Sequence, residues 1–393
     1  MLLAVSVVAG LLVRHFLEAS QAQAFARTPP PIAGVDKIPP CGKIERIPVP
    51  LGNPDGVFPD RAERLAKPKW FFENFSESNL IRFFGTCELT RAERKILADK
   101  NSWEITTNGI VLSPPEGLVW SLSHRGREQI YATLGKSPVN YPQFFPFRFP
   151  LDGFDFKFRY CGLPRLQVEK IRRLTYTNGG YLCFADLRAM QNVLSQADFN
   201  ELIETLFAVP TFMLRLHVDP DSDIDALVKY WGHNGREKFI APILNGLAKV
   251  PGGAAINISY LLPPFARLRL YTYPEAWNDA TASRQDCFFT AMNFFNETPN
   301  TNFFDTSYGR KVLQSEYEPA TTGPAFGDVV TLFNHAGEAI HTCIYVADDF
   351  VFTKNGINSA QPWVFMRLTD MLLIYFPPET SAKVLILRRK GMG

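Results

Sequence analysis

A chain of 393 residues, 46% of them hydrophobic, is long enough for two domains, since domains usually run to about 100–200 residues. The 41 basic and 39 acidic residues leave a formal charge of +2 and form no cationic run that could track a phosphate backbone, which argues against nucleic acid as a partner. The 33 phenylalanines are scattered rather than set beside basic clusters, so they read as core packing and not as platforms for base stacking.

Residues 2–13 form an apolar run, and the polar stretch after it ends in Ala22-Gln23-Ala24, the small-x-small form that signal peptidase accepts. Residues 1–24 are therefore expected to be a secretory leader cleaved after Ala24, which would make the protein secreted, periplasmic or attached to the cell envelope. The alternative is an uncleaved anchor, the only membrane contact the sequence suggests, although the run falls short of the about 20 residues that span a bilayer. Six cysteines (Cys41, Cys87, Cys161, Cys183, Cys287 and Cys343) are too few for disulfides to replace a core, and none forms a CxxC pair.

Prolines recur through residues 25–69, which predicts an extended linker with few ladder hydrogen bonds. Residues 70–261 read as a mixed, helix-rich domain whose task the sequence does not disclose. Thr90 and Glu93 have the spacing of a capping box and predict a helix over 90–98. Further helices are predicted over 123–134, 167–174, 197–207, 224–231 and 236–250, and a half-buried strand over 255–261. Asp219, Asp221, Asp223 and Asp225 alternate like calcium ligands but lack the glycine and closing glutamate of an EF-hand, so a solvated turn leading into a helix is expected. Asn257-Ile258-Ser259 matches a glycosylation sequon, but its asparagine falls in the predicted strand.

The last segment, 262–393, carries the chemistry. Phe288, Met292 and Phe295 recur at helical spacing, so Cys287 should open a buried helix, where the terminal partial charge favours thiolate over thiol. Strands are predicted over 327–333, 341–346, 350–355, 363–368 and 384–389. A cysteine heading a helix and a histidine on the sheet packed against it can meet within hydrogen-bond distance, as a thiolate–imidazole pair requires. His335, His341 and Cys343 could also be read as zinc ligands, but no fourth ligand is evident.

Asp286-Cys287 opening a helix, then Gly327-Asp328-Val329-Val330, then His341-x-x-Ile344-Tyr345-Val346 before an acidic turn, resembles the NlpC/P60 family of papain-like cysteine peptidases. The resemblance covers about a third of the chain. It implies an α+β fold of one helix plus an antiparallel sheet, no cofactor or metal, and a peptide or amide substrate such as a peptidoglycan stem peptide. By the same resemblance Cys287 is the nucleophile and His341 the general base. The Cys287 amide is then an oxyanion donor, with Tyr273 near that hole. The chain departs from the family's Asp-Cys-Ser-Gly by placing Phe288 and Phe289 after the cysteine.

The group that orients the imidazole depends on strand parity. A two-residue turn at Asp348-Asp349 would put Lys354 on the face of His341, whereas a three-residue loop would put Thr353 and Asn355 there. Asp-Asp lacks the glycine that two-residue turns favour, so the longer loop is expected, with Asn355 as the orienting residue and Thr353 next to it. The function expected is a thiol hydrolase cleaving a peptide or amide bond. The alternatives are a binding or structural protein that has lost the chemistry, and a thiol acyltransferase acting on lipid-like substrates.

Overall fold

The computed structural model describes residues 40–53, 65–159, 161–274, 285–356, 361–376 and 383–391. The expected leader lies outside them. Backbone contacts divide the chain into two compact units, one built from Met1–Pro54 together with Val209–Gly393, the other from Asp55–Ala208. The fold is α+β. Among the described residues no helix is long and apolar enough to cross a membrane.

In the unit of Asp55–Ala208 the predicted helices are present as Arg91–Leu97, His124–Leu134, Arg165–Arg173 and Gln196–Phe207. The Thr90 hydroxyl accepts from the Glu93 amide at 3.2 Å and the Glu93 carboxylate accepts from the Thr90 amide at 2.7 Å, completing the capping box. Two three-stranded antiparallel sheets accompany the helices. At the centre of this core Arg127 is fully buried, its Nε 3.2 Å from Asp186, which also accepts a 2.6 Å hydrogen bond from the Tyr131 hydroxyl.

The second unit begins with β1 (Lys43–Leu51), inside the stretch read as a linker. It pairs antiparallel with β2 (Val209–Val218) over nine residue pairs, from Lys43–His217 to Leu51–Val209. Pro48 and Pro50 are tolerated because β1 is an edge strand, where a missing amide leaves no ladder bond unmade. This pairing corrects the expected domain map, in which 25–69 was a linker and the last boundary fell at 261/262. Helices α1 (Ile224–Trp231) and α2 (Glu237–Ala248) follow, then β3 (Ala254–Asn257), which completes the sheet β1-β2-β3. Asp223 caps α1 by accepting from the Ala226 amide at 3.0 Å, so one of the alternating aspartates serves a helix start. The predicted strand 255–261 stops at Asn257 because the Asn257 side chain accepts from the Ser259 amide and starts a short 3-10 turn.

After α3 (Pro264–Arg269) come α4 (Cys287–Asn293), α5 (Thr306–Glu316) and β4 (Tyr317–Pro319). The strands β5 (Val329–Phe333), β6 (Ala339–Ala347), β7 (Phe350–Lys354) and β8 (Trp363–Arg367) lead to α6 (Leu368–Tyr375) and β9 (Lys383–Arg389). They form one antiparallel sheet in the order β4-β9-β5-β6-β7-β8. Its two faces carry different cores. Ile344, Val346, Phe352 and Phe365 pack with Leu214, Trp231, Phe289 and Phe294, whereas Val330, Leu332, Cys343, Val351 and Met366 pack with Met371.

Gly327-Asp328 holds the loop that enters this sheet. Gly327 has φ +92°, and a side chain there would strike the ring of Phe295. Asp328 is 2% exposed and takes two hydrogen bonds from Arg388 on β9, at 2.9 Å from Nε and 2.7 Å from Nη2, and a third from the Ala325 amide. Asp328→Ala leaves the part-buried Arg388 guanidinium with only Thr322 and the Gly323 carbonyl as partners, and urea unfolding is expected to show a loss of about 1–3 kcal/mol.

Candidate functional site

Asp286 sets the start of α4, its carboxylate accepting from the Phe289 amide at 2.7 Å. The Thr290 hydroxyl donates to the Asp286 carbonyl at 2.7 Å and accepts from the Trp363 indole at 2.9 Å, which fastens the first turn of α4 to β8. Phe294 meets Phe352 on β7 with ring centroids 5.7 Å apart, so the helix lies on the Ile344–Phe352 face of the sheet. Both phenylalanines after the cysteine are engaged in packing. Phe289 is 2% exposed and stacks on Phe304, and the ring of Phe288 rests on Gly309 in α5, where a side chain would clash with it.

Cys287 is half-buried at the head of α4. Its thiol is pushed up to about 12, first by burial and then by the Asp286 carboxylate, against smaller opposing effects of the Thr342 amide and the Lys354 ammonium. The expected thiolate is therefore absent at neutral pH. A helix terminus is worth about 0.3–1 kcal/mol, less than one pK unit at about 1.4 kcal/mol. The head of a seven-residue helix, already shared with a carboxylate, does not offset that desolvation.

His341 leaves β6 on the other face, the one it shares with its cross-strand partner Leu332 and with Cys343. It is 2% exposed and stacks on Tyr375 of α6, with ring centroids 4.4 Å apart and 18° between planes. Nε2 is 2.9 Å from the Thr353 hydroxyl, and Nδ1 is buried with no hydrogen-bond partner among the described residues. Neither ring nitrogen is thus bonded to the Cys287 thiol, contrary to the pairing the sequence predicts. Burial lowers the imidazole to about 3, so the site rests as neutral thiol and neutral imidazole. The Thr342 amide links the two halves, because it follows His341 in the strand and favours the Cys287 thiolate. Beyond the Ile344–Phe352 pair the named β6–β7 pairing ends, so Thr342, paired with Thr331 of β5 on one side, has no named partner on the β7 side.

The turn between β6 and β7 is the two-residue Asp348-Asp349, with Asp348 at φ +55° and its carbonyl accepting a 2.6 Å hydrogen bond from the Tyr345 hydroxyl. The longer loop predicted from sequence is not there. A bulge lies between the Ala347–Phe350 and Tyr345–Val351 pairs, leaving Val346 unopposed, and this one-residue offset brings Thr353 and Asn355 to the face of His341. Thr353 then touches the imidazole, whereas Asn355 accepts from the Thr353 hydroxyl at 3.4 Å and stands one bond further away. Thr353 thus displaces Asn355 as the orienting residue.

Lys354 falls on the α4 face, opposite Trp363, and is fully buried. The strand-parity argument from sequence bears only on the face of His341 and gives no sign of the α4 side that Lys354 occupies. Tyr273 lies one residue beyond the Thr272 carbonyl that accepts from the Trp363 amide at 3.0 Å. Its hydroxyl is buried without a hydrogen-bond partner among the described residues, and burial pushes it up to about 12. Its hydroxyl makes no hydrogen bond to Cys287. Among the described residues no group of three His, Cys, Asp or Glu side chains could hold a metal ion, so His335, His341 and Cys343 form no such cluster.

No family model, curated protein or solved structure matches the chain.

Two measurements check this geometry. Thr353→Val leaves the buried Nε2 without its partner and is expected to cost about 1–3 kcal/mol, whereas Asn355→Ala should cost clearly less in the same urea titration. His341 is depressed from 6.5 to about 3 in the folded protein, so between those values the unfolded chain binds the proton and the folded one does not. Stability from this group is present above pH 6.5 and is lost as pH falls toward 3, with a slope of at most about 1.4 kcal/mol per pH unit. His341→Gln should flatten that limb of the stability–pH curve.

Proposed function

We infer that the protein is a thiol hydrolase that cleaves a peptide or amide bond, with Cys287 as nucleophile and His341 as general base. The observation that carries this reading is the state of the imidazole, in which Nε2 is engaged by Thr353 while Nδ1 is left without a partner. An orienting hydroxyl on one nitrogen fixes the ring, and the other nitrogen is the one available to a thiol. In the reaction, Nδ1 takes the Cys287 proton as sulfur attacks the carbonyl carbon, then delivers it to the departing amine. Water hydrolyses the thioester in the second half. The sulfur is already coupled to Cys343 and Tyr375 on the imidazole's face, beside the stretch where β6 no longer pairs with β7, and substrate binding has to bring thiol and imidazole together through that opening.

The order of a cysteine-headed helix, a Gly-Asp entry and a histidine strand is similar to the NlpC/P60 family. This supports a papain-like arrangement and a peptidoglycan stem peptide as the substrate class, with an envelope or extracellular location following from the character of residues 1–24. Burial of His341 and the high thiol value favour a second reading, a binding or structural protein on the same scaffold. Hydrolysis of stem-peptide fragments and simple peptide amides separates the two. Under the first reading Cys287→Ala abolishes turnover and His341→Gln lowers kcat by about 10²–10⁴-fold. No turnover of any such substrate by the wild type would favour the second, whereas turnover that survives Cys287→Ala would remove Cys287 as the nucleophile.

A further inference from the structure

The charged group on the cysteine's side of the sheet is a lysine. Lys354 is fully buried at the end of β7, and its Nζ donates to the Gly356 carbonyl at 3.0 Å. Its cross-strand partner Trp363 shares its face and donates to Thr290 in the first turn of α4. Register and hydrogen bonding therefore direct this side chain toward the head of the helix, where Asp286 and Cys287 stand. Burial lowers the Lys354 ammonium to about 8, and the Asp286 carboxylate works against that loss, keeping it charged at neutral pH.

We propose that Lys354 is a positioning residue for the reactive sulfur, a buried ammonium that holds the Asp286 carboxylate in check and supplies the positive charge against which the Cys287 thiolate forms. This rests on the reading of Cys287 as the nucleophile and adds what that reading lacks, a cation on the sulfur's side of the sheet. His341, neutral and stacked on the far face, provides no such charge in the resting protein. The division of labour is chemically complete. The proton leaves the thiol for the imidazole during attack, while Lys354 keeps its own proton and acts through the field alone. Consistent with this, Cys287 and Lys354 each perturb the other in the sense expected of an anion facing a cation. The other titratable groups coupled to the sulfur are Asp286 on its own element, Cys343 on β6 and Tyr375 on α6.

The test reads the sulfur without any substrate. Alkylation of Cys287 by iodoacetamide is followed from pH 6 to 8 by mass spectrometry of its peptide in the full-length chain. Lys354→Met should slow alkylation at pH 7, where the ammonium that burial lowers to about 8 is still charged, at least tenfold; Lys354→Arg should recover most of the rate, and Asp286→Asn should accelerate it. Opposite signs are the signature, because mere loosening of the site would hydrate the thiol and speed both variants. Should Lys354→Met not fold, the double variant Asp286→Asn/Lys354→Met removes both charges and is expected to react more slowly than Asp286→Asn alone. An unchanged or faster rate in Lys354→Met, or in the double variant relative to Asp286→Asn, overturns the proposal. Amidase activity that persists in Cys287→Ala would instead remove Cys287 as the nucleophile and leave the charge measurement standing.

Discussion

One extra residue, Val346, decides which side chains of β7 meet which side chains of β6. The Ala347–Phe350 pair closes the turn, and the next pair is Tyr345–Val351, so every later residue of β7 changes face relative to an unbulged hairpin. Thr353 consequently arrives beside the imidazole and Lys354 beside the head of α4. Without the bulge the two would exchange places, setting an ammonium against His341 and a hydroxyl against Asp286. The sheet thus sorts a neutral hydrogen-bonding set from a charged set. The strand carrying His341 and the Thr342 amide is shared between them.

Burial dominates the electrostatics on both sides of that strand. It drives the thiol toward its protonated form and the imidazole toward its unprotonated form, so the neutral pair is the resting state. The charges that remain, Asp286 and Lys354, offset one another across the helix head.

Local patterning made much of the structure legible. Capping residues and helical spacing located several helices of both units, though not Thr306–Glu316 or Leu368–Tyr375, and apolar runs located five of the six strands of the large sheet, missing Tyr317–Pro319, because those signals are written within about ten residues of where they act. The bulge was not legible. Asp-Asp without glycine argues for a longer loop, yet Asp348 adopts the left-handed conformation itself. The unit boundaries were hidden for a different reason. β1 reads as a proline-rich tether until β2 is known to lie beside it, and that partner is remote in sequence. The thiol's state also escaped the sequence, since a helix-head cysteine advertises its dipole but not its desolvation.

The remoteness of that partner also bears on how the protein is made. Leu51 and Val209 face one another in the finished sheet although roughly 160 residues separate them. At about 5–20 residues per second, β1 leaves the ribosome roughly 10–30 s before β2 can follow. During that interval it is an unclaimed edge, and its prolines, which remove amides that another strand could use, lessen the risk of a wrong partner. The intervening unit, Asp55–Ala208, has its whole sequence available first. The unit that carries Cys287 is therefore the last to close, with its two ends held open across the synthesis of everything between them.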